Sequence, residues 1–255
     1  MLGCYESIED ATKRKYVEEQ CDKLHCGTYH NGAKISIEAS PPARISKEIL
    51  GNKDLRIHTG NEYLIITLLD VYKDSFGRRG FRVRNLKNLL YSSVRKKQCI
   101  NDRLLKRLLL DLQEKKWIEI IPDKKKAIFD ENKIKLTKRL EEFKKGYIEF
   151  YFSIAGALID GRIDQIHYLV FITLLRNLSN KENVTYDQLA EDLMLDKQNI
   201  GKYIRKLQQE RCLIVVKGYN EKGNEYNRYR ITSPEFFNTA VDLENENELT
   251  FQLLA

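Results

Sequence analysis

A chain of 255 residues that is 42% hydrophobic can bury one large core or two smaller ones. It contains no apolar run of the roughly 18 residues that a bilayer-crossing helix needs, and its first residues, acidic and then basic, lack the apolar stretch of a signal peptide. Five irregularly spaced cysteines do not make a disulfide framework, so the expectation is a soluble protein of the reducing cytoplasm. The formal net charge is +7, and its distribution says more than its size. Residues 78–107 hold eleven Lys or Arg and one acid, Asp102, whereas residues 235–255 hold five acids and no base. Such segregation points to a surface that binds a polyanion, because Lys and Arg neutralise phosphates and release their counterions. The competing explanation is a solvated helical face that happens to be basic.

Taken in chain order, residues 8–24 of an N-terminal extension (1–34) read as an amphipathic helix. Residues 35–50 read as a strand-like approach with a helical start. Apolar side chains at helical spacing then predict a helix over 61–72, and the loop 73–80 leads to a second helix over 83–91. A third helix is expected over 100–115, and a hairpin from 118–122 and 127–136. Residues 147–159 repeat the strand-like approach. A helix follows over 165–178, then a polar loop at 180–183. Thr185 can cap the next helix, 186–193, with Gln188 as the reciprocal half of a capping box. Met194, Leu195 and Asp196 form a turn into a helix over 197–210, whose buried side carries Ile200, Ile204 and Leu207. The period then changes to that of strands over 212–217 and 225–231, joined by a turn-rich loop at 218–224. The last segment, 235–255, is an acidic tail.

The chain resembles itself. YLIITLL at 63–69 is similar to YLVFITLL at 168–175, LQEKKWI at 112–118 to LQQERCL at 207–213, and IKLT at 134–137 to YRIT at 229–232. The last two pairs share one gapless offset of 95 residues. The expected architecture is therefore α+β and mainly helical, with two tandem units of three helices plus a β-hairpin at 35–146 and 147–234.

The stretch QLAEDLMLDKQNIGKYIRKL at 188–207 resembles the helix-turn-helix family. Ala190 is small where two helices cross, Ile200 lies ten residues on, and Ile204 and Leu207 close the pattern. Met194 stands where that family usually has Gly. With the hairpin that follows, the resemblance is to winged helix-turn-helix DNA-binding domains, and the first copy follows the same plan with longer loops. A strand-like approach before each copy is similar to the DNA-binding domains of plasmid and phage replication initiators, a match of architecture rather than of a signature. In that family the second helix of the motif enters the major groove. The resemblance assigns Lys197, Gln198, Asn199, Lys202 and Tyr203 to base edges, with Gln198 and Asn199 suited to adenine, and Arg205 and Lys206 to phosphates. It assigns Lys217, Lys222, Asn224 and Arg228 to the wing. In the first copy the corresponding residues are Gln98, Asn101, Arg103, Lys106 and Arg107, supported by Arg95, Lys96 and Lys97, with Lys124, Lys125 and Lys126 at a basic hairpin tip. Arg103 can pair with guanine, although phosphate contact is the default role of any one of these side chains. The implied function is sequence-specific binding of double-stranded DNA by an intramolecular pseudo-dimer, at a replication origin or a promoter. Implied partners are duplex DNA and the replication or transcription machinery, with homodimerisation left open.

No catalytic signature is present: no phosphate-binding Gly-x4-Gly-Lys-Ser/Thr loop, no His-Glu-x-x-His and no His-x-His pair. No enzymatic activity and no cofactor are expected, and Trp117 is expected to pack beneath the first hairpin. Cys4, Cys21, His25, Cys26 and His30 gather ligands that a tetrahedral zinc site accepts, in a spacing that matches no strict pattern, and Cys21 serves equally as a small apolar residue on the 8–24 helix. Two other functions stand beside DNA binding. One is an assembly platform whose acidic tail, DLENENE at 242–248, docks a basic partner. The other is a metal-sensing regulator.

Overall fold

The computed structural model describes residues 43–50, 59–72, 80–125, 127–180, 184–219 and 225–231. In chain order its elements are β1 (Ala43–Ser46), α1 (Gly60–Tyr72), α2 (Val83–Leu89), β2 (Tyr91–Ser92), β3 (Lys97–Gln98), α3 (Asp102–Glu114), β4 (Ile118–Ile121), β5 (Lys133–Leu136), α4 (Lys138–Glu141), β6 (Tyr147–Phe150), α5 (Ser153–Ile159), α6 (Gln165–Ser179), α7 (Tyr186–Leu193), α8 (Lys197–Gln209), β7 (Leu213–Tyr219) and β8 (Glu225–Ile231). The fold is α+β, and its sheets are small antiparallel pairs: β1 with β6, β2 with β3, β4 with β5, and β7 with β8. No helix among the described residues is long and apolar enough to cross a membrane.

Helices α1 and α6 are apolar around almost their whole circumference, and a helix of that kind cannot face water on any side. In α1 only Asn61 and Val71 escape full burial. The two helices therefore pack at the centre and on each other. Gly60, the first residue of α1, lies so close to Gln165, the first of α6, that an added Cβ would run into the Gln165 carbonyl. Further along, the hydroxyls of Thr67 and Tyr168 lie 3.1 Å apart, fully buried. The acids that α1 buries are paired: Glu62 accepts from Lys115 Nζ at 2.6 Å, and Asp70 from Arg44 Nε at 3.2 Å. Around this centre the buried side chains form one continuous core spanning both halves of the chain.

The two strand-like approaches pair with each other, which their separate reading did not anticipate. β1 and β6 run antiparallel with Ile45 opposite Ile148 and Ala43 opposite Phe150, and all four side chains are buried. Short strands left alone would expose ladder groups, and each supplies the other's hydrogen-bond partners. In the first approach a turn at 47–50 replaces the expected helical start, while the second continues into α5.

The 95-residue offset reappears as geometry. α3 and α8 each have 13 residues, and they bury Leu105, Leu109 and Leu112 in one and Ile200, Ile204 and Leu207 in the other. Each is followed by a non-glycine residue in the left-handed region, Lys116 (φ 62°) and Arg211 (φ 59°). The next backbone N–H then closes the helix, Trp117 N on Leu112 O at 3.0 Å and Cys212 N on Leu207 O at 2.8 Å. Trp117 is buried beside the first hairpin, with the Arg139 guanidinium 4.9 Å from its ring centre.

Three expectations need correction. α2 ends at Leu89 rather than 91, and α3 starts at Asp102 rather than 100. Between them, residues 91–98 form the β2–β3 hairpin, a feature too short to leave a period in the sequence. The first long hairpin pairs only Ile118–Ile121 with Lys133–Leu136, because a 3-10 turn at Phe129–Glu131 takes the residues in between.

Candidate nucleic-acid interface

The second unit holds the helix pair most like the one expected. Thr185 and Gln188 make the anticipated capping box: Gln188 N donates to Thr185 Oγ1 at 3.2 Å and Thr185 N to Gln188 Oε1 at 2.9 Å. Met194, where a glycine was expected, adopts φ 54° and ψ 43° and leaves its side chain 70% exposed. The turn keeps the left-handed geometry and bears its cost without glycine. Asp196 then caps α8, its Oδ1 accepting from Gln198 N at 2.7 Å.

Burying Ile200, Ile204 and Leu207 turns the opposite side of α8 to solvent. Lys197, Gln198, Lys202 and Arg205 are exposed and Asn199 is partly so. Gln198, Lys202 and Arg205 lie along one face at helical spacing. Local contacts hold several of them: Lys202 Nζ donates to Asn199 Oδ1 at 3.3 Å, Arg205 Nε to Gly201 O at 3.2 Å, and Lys197 Nζ to Asp187 Oδ2 at 2.8 Å. These surface contacts are weak enough to exchange for a phosphate. Two members of the candidate set stand apart from this face. Tyr203 is partly buried, its ring edge-on to His167 at 5.1 Å, and Lys206 bonds Glu210 at 2.6 Å.

The first unit presents a parallel face. Arg103, Lys106 and Arg107 are exposed on α3, and by the 95-residue offset Arg103 and Arg107 stand where Gln198 and Lys202 stand on α8. Among the described residues neither arginine has an ion-pair partner. Lys106 Nζ lies 5.3 Å from the Phe129 ring centre. Leu110, 45% exposed, extends the same face and was not singled out in the sequence. Its signal was the helical period, which sets 110 opposite the buried 105, 108, 109 and 112. Asn101 is spent on capping: its Oδ1 accepts from Leu104 N at 2.9 Å.

The remaining first-unit candidates sit elsewhere. Arg95, Lys96, Lys97 and Gln98 belong to the β2–β3 hairpin, not to α3 or its first turn. The tip expected to be a basic wing is folded back. Arg82 Nη1 donates to Asp123 Oδ2 at 2.9 Å and to Glu131 Oε2 at 2.7 Å, and Lys87 Nζ bridges Asp102 and Asp130, each at 2.8 Å. Those two carboxylates hold the Lys87 ammonium above its ordinary pKa. Lys124 and Lys125 stay exposed beside this acidic network, and Lys126 lies outside the described residues.

The second hairpin is longer, with seven pairs from Leu213↔Ile231 to Tyr219↔Glu225. Lys217 is on β7 opposite Asn227, and Arg228 is exposed on β8 opposite Val216. Lys222, Asn224, the zinc candidates Cys4, Cys21, His25, Cys26 and His30, and the acidic tail lie outside the described residues. Comparison with protein-family models, curated proteins and solved structures finds no match to this chain.

Proposed function

We propose that the chain binds double-stranded DNA sequence-specifically through two winged helix-turn-helix units acting as an intramolecular pseudo-dimer. The observation that supports this most is the pair of equivalent helices, α3 and α8. Each is third in a run of three helices and a hairpin, buries the same three positions, and turns an outward face bearing three cations, Arg103, Lys106 and Arg107 or Lys197, Lys202 and Arg205. A helix presented in this way fits the major groove, and a second on the same chain reads the adjacent half-site at high effective concentration.

On this reading Gln198 and Asn199 take adenine edges, Arg103 a guanine, and Lys106, Arg107, Lys202 and Arg205 phosphates or neighbouring bases. Helices α1 and α6, packed on each other beneath the two faces, keep the faces at one spacing. The β7–β8 hairpin is the second unit's wing, bringing Lys217 and Arg228 to the backbone. The biological setting is a replication origin of a mobile element or a promoter. Selection from random duplexes followed by footprinting tests the proposal. The expected result is one protected site with two major-groove segments about one helical turn apart. Clustered repeats would indicate an origin, and a lone promoter site a regulator. Recovery of no preferred sequence would sink the specific-binding reading.

A further inference from the structure

The β2–β3 hairpin stands where the second unit has only the three-residue turn Met194 to Asp196, and it is anchored to the other half of the chain. Ser92 Oγ donates to Asp160 Oδ1 at 2.8 Å with both side chains buried, Cys99 Sγ donates to Leu158 O at 3.6 Å, and the Arg95 guanidinium lies against Gly161. Gly161 has φ +70°, a left-handed backbone that favours glycine, and a Cβ there would displace the Arg95 guanidinium. Two nitrogens of the next residue, Arg162 Nε and Nη2, are sealed from solvent with no acceptor among the described residues. Those two nitrogens cannot meet a ligand from outside, so in this half-buried side chain it is Nη1 that an incoming anion would reach. The hairpin tip carries Lys96 (φ 52°) and Lys97, both exposed and without ion-pair partners among the described residues, beside Val94, 66% exposed.

We propose that this hairpin, with Arg162 of the second unit, forms a third DNA contact that grips backbone phosphates between the two half-sites. This rests on the DNA-binding reading. The hairpin runs directly into Asn101, the cap of α3, so it lies at the end of the helix that meets the groove. Its other flank touches the 158–161 segment of the second unit, which puts four cations, Arg95, Lys96, Lys97 and Arg162, at the seam between the units. The one acid at the seam among these contacts, Asp160, is buried against Ser92.

The test uses the full chain and a mixed-sequence duplex of about 30 base pairs, long enough for two half-sites. Anisotropy titrations over a range of salt compare wild type with Lys96→Asn/Lys97→Gln and, separately, with Arg162→Gln. Asparagine is chosen because it tolerates the left-handed backbone, and a thermal melt confirms that both variants fold. The double variant should flatten the log–log salt slope by about 1.8, at 0.9 per phosphate. Arg162→Gln should flatten it by about 0.9. If wild type binds but both slopes match its own, the hairpin makes no backbone contact and this inference fails alone. If wild type does not bind at low salt, the DNA-binding reading fails with it.

Discussion

Removing the Thr67 hydroxyl should cost more than removing the Tyr168 hydroxyl, and removing both should cost less than the two losses added. Thr67 Oγ1 donates its only proton to Tyr63 O at 2.8 Å, so the 3.1 Å contact with Tyr168 must be one in which the phenol donates. Both side chains are fully buried, and that burial holds the phenol above its ordinary pKa. Thr67→Val leaves the phenol O–H with no acceptor in a dry interface, a penalty of ~2 kcal/mol. Tyr168→Phe leaves Thr67 still donating to Tyr63 and should cost ~1 kcal/mol. With both hydroxyls gone no orphan remains, so the double variant should lose ~1–2 kcal/mol instead of the ~3 kcal/mol of the sum, a coupling of at least ~1 kcal/mol. Urea unfolding followed by circular dichroism measures all four proteins. Additive losses, or a Thr67→Val cost below ~0.5 kcal/mol, would refute the claim that this bond joins the two halves.

Other substitutions test other parts of the fold. Gly60→Ala drives a Cβ into the Gln165 carbonyl and should destabilise the chain by ~1–3 kcal/mol in the same assay, since backbone rather than a flexible side chain must move. Met194→Gly relieves the left-handed turn while sacrificing an already exposed side chain, so a gain of ~0.5–1 kcal/mol is expected despite the added freedom of the unfolded chain. Burial pushes the Cys99 thiol up to about 11 from 9.0. The unfolded chain therefore releases that proton first, and stability should fall as pH rises from 9 towards about 11. Cys99→Ala should flatten that alkaline limb relative to wild type, and an unchanged limb would assign it to another group.

What could be read before the structure was whatever leaves a periodic or capping signal. Helices α1, α3, α6, α7 and α8 follow from apolar spacing, and Thr185 with Gln188 marked the start of α7. The outward face of α8 followed from Ile200, Ile204 and Leu207, while the matching burial of Leu105, Leu109 and Leu112 in α3 came from the structure. Non-local pairing was beyond reach. The β1–β6 ladder joins segments about a hundred residues apart, and neither strand alone names its partner. Of the 91–98 hairpin only Tyr91 was read as helix and the rest was given no element, because two-residue strands have no period of their own. A run of cations likewise looks the same on a helix and on a hairpin, which is why Arg95, Lys96 and Lys97 were grouped with α3. The acids that fold back the first long hairpin, Asp123, Asp130 and Glu131, find Arg82 and Lys87 only in three dimensions.

The two-faced account is tested most directly by fluorescence anisotropy of duplex DNA against salt for wild type, Arg103→Ala/Arg107→Ala, Gln198→Ala/Lys202→Ala, and all four changes together. The account predicts a log–log slope of about −5 or steeper for wild type. Each double variant should bind more weakly, and the quadruple variant should retain little affinity at any salt. Equal binding by all four proteins, or no binding by wild type at low salt, would contradict the claim that α3 and α8 are the DNA-reading faces.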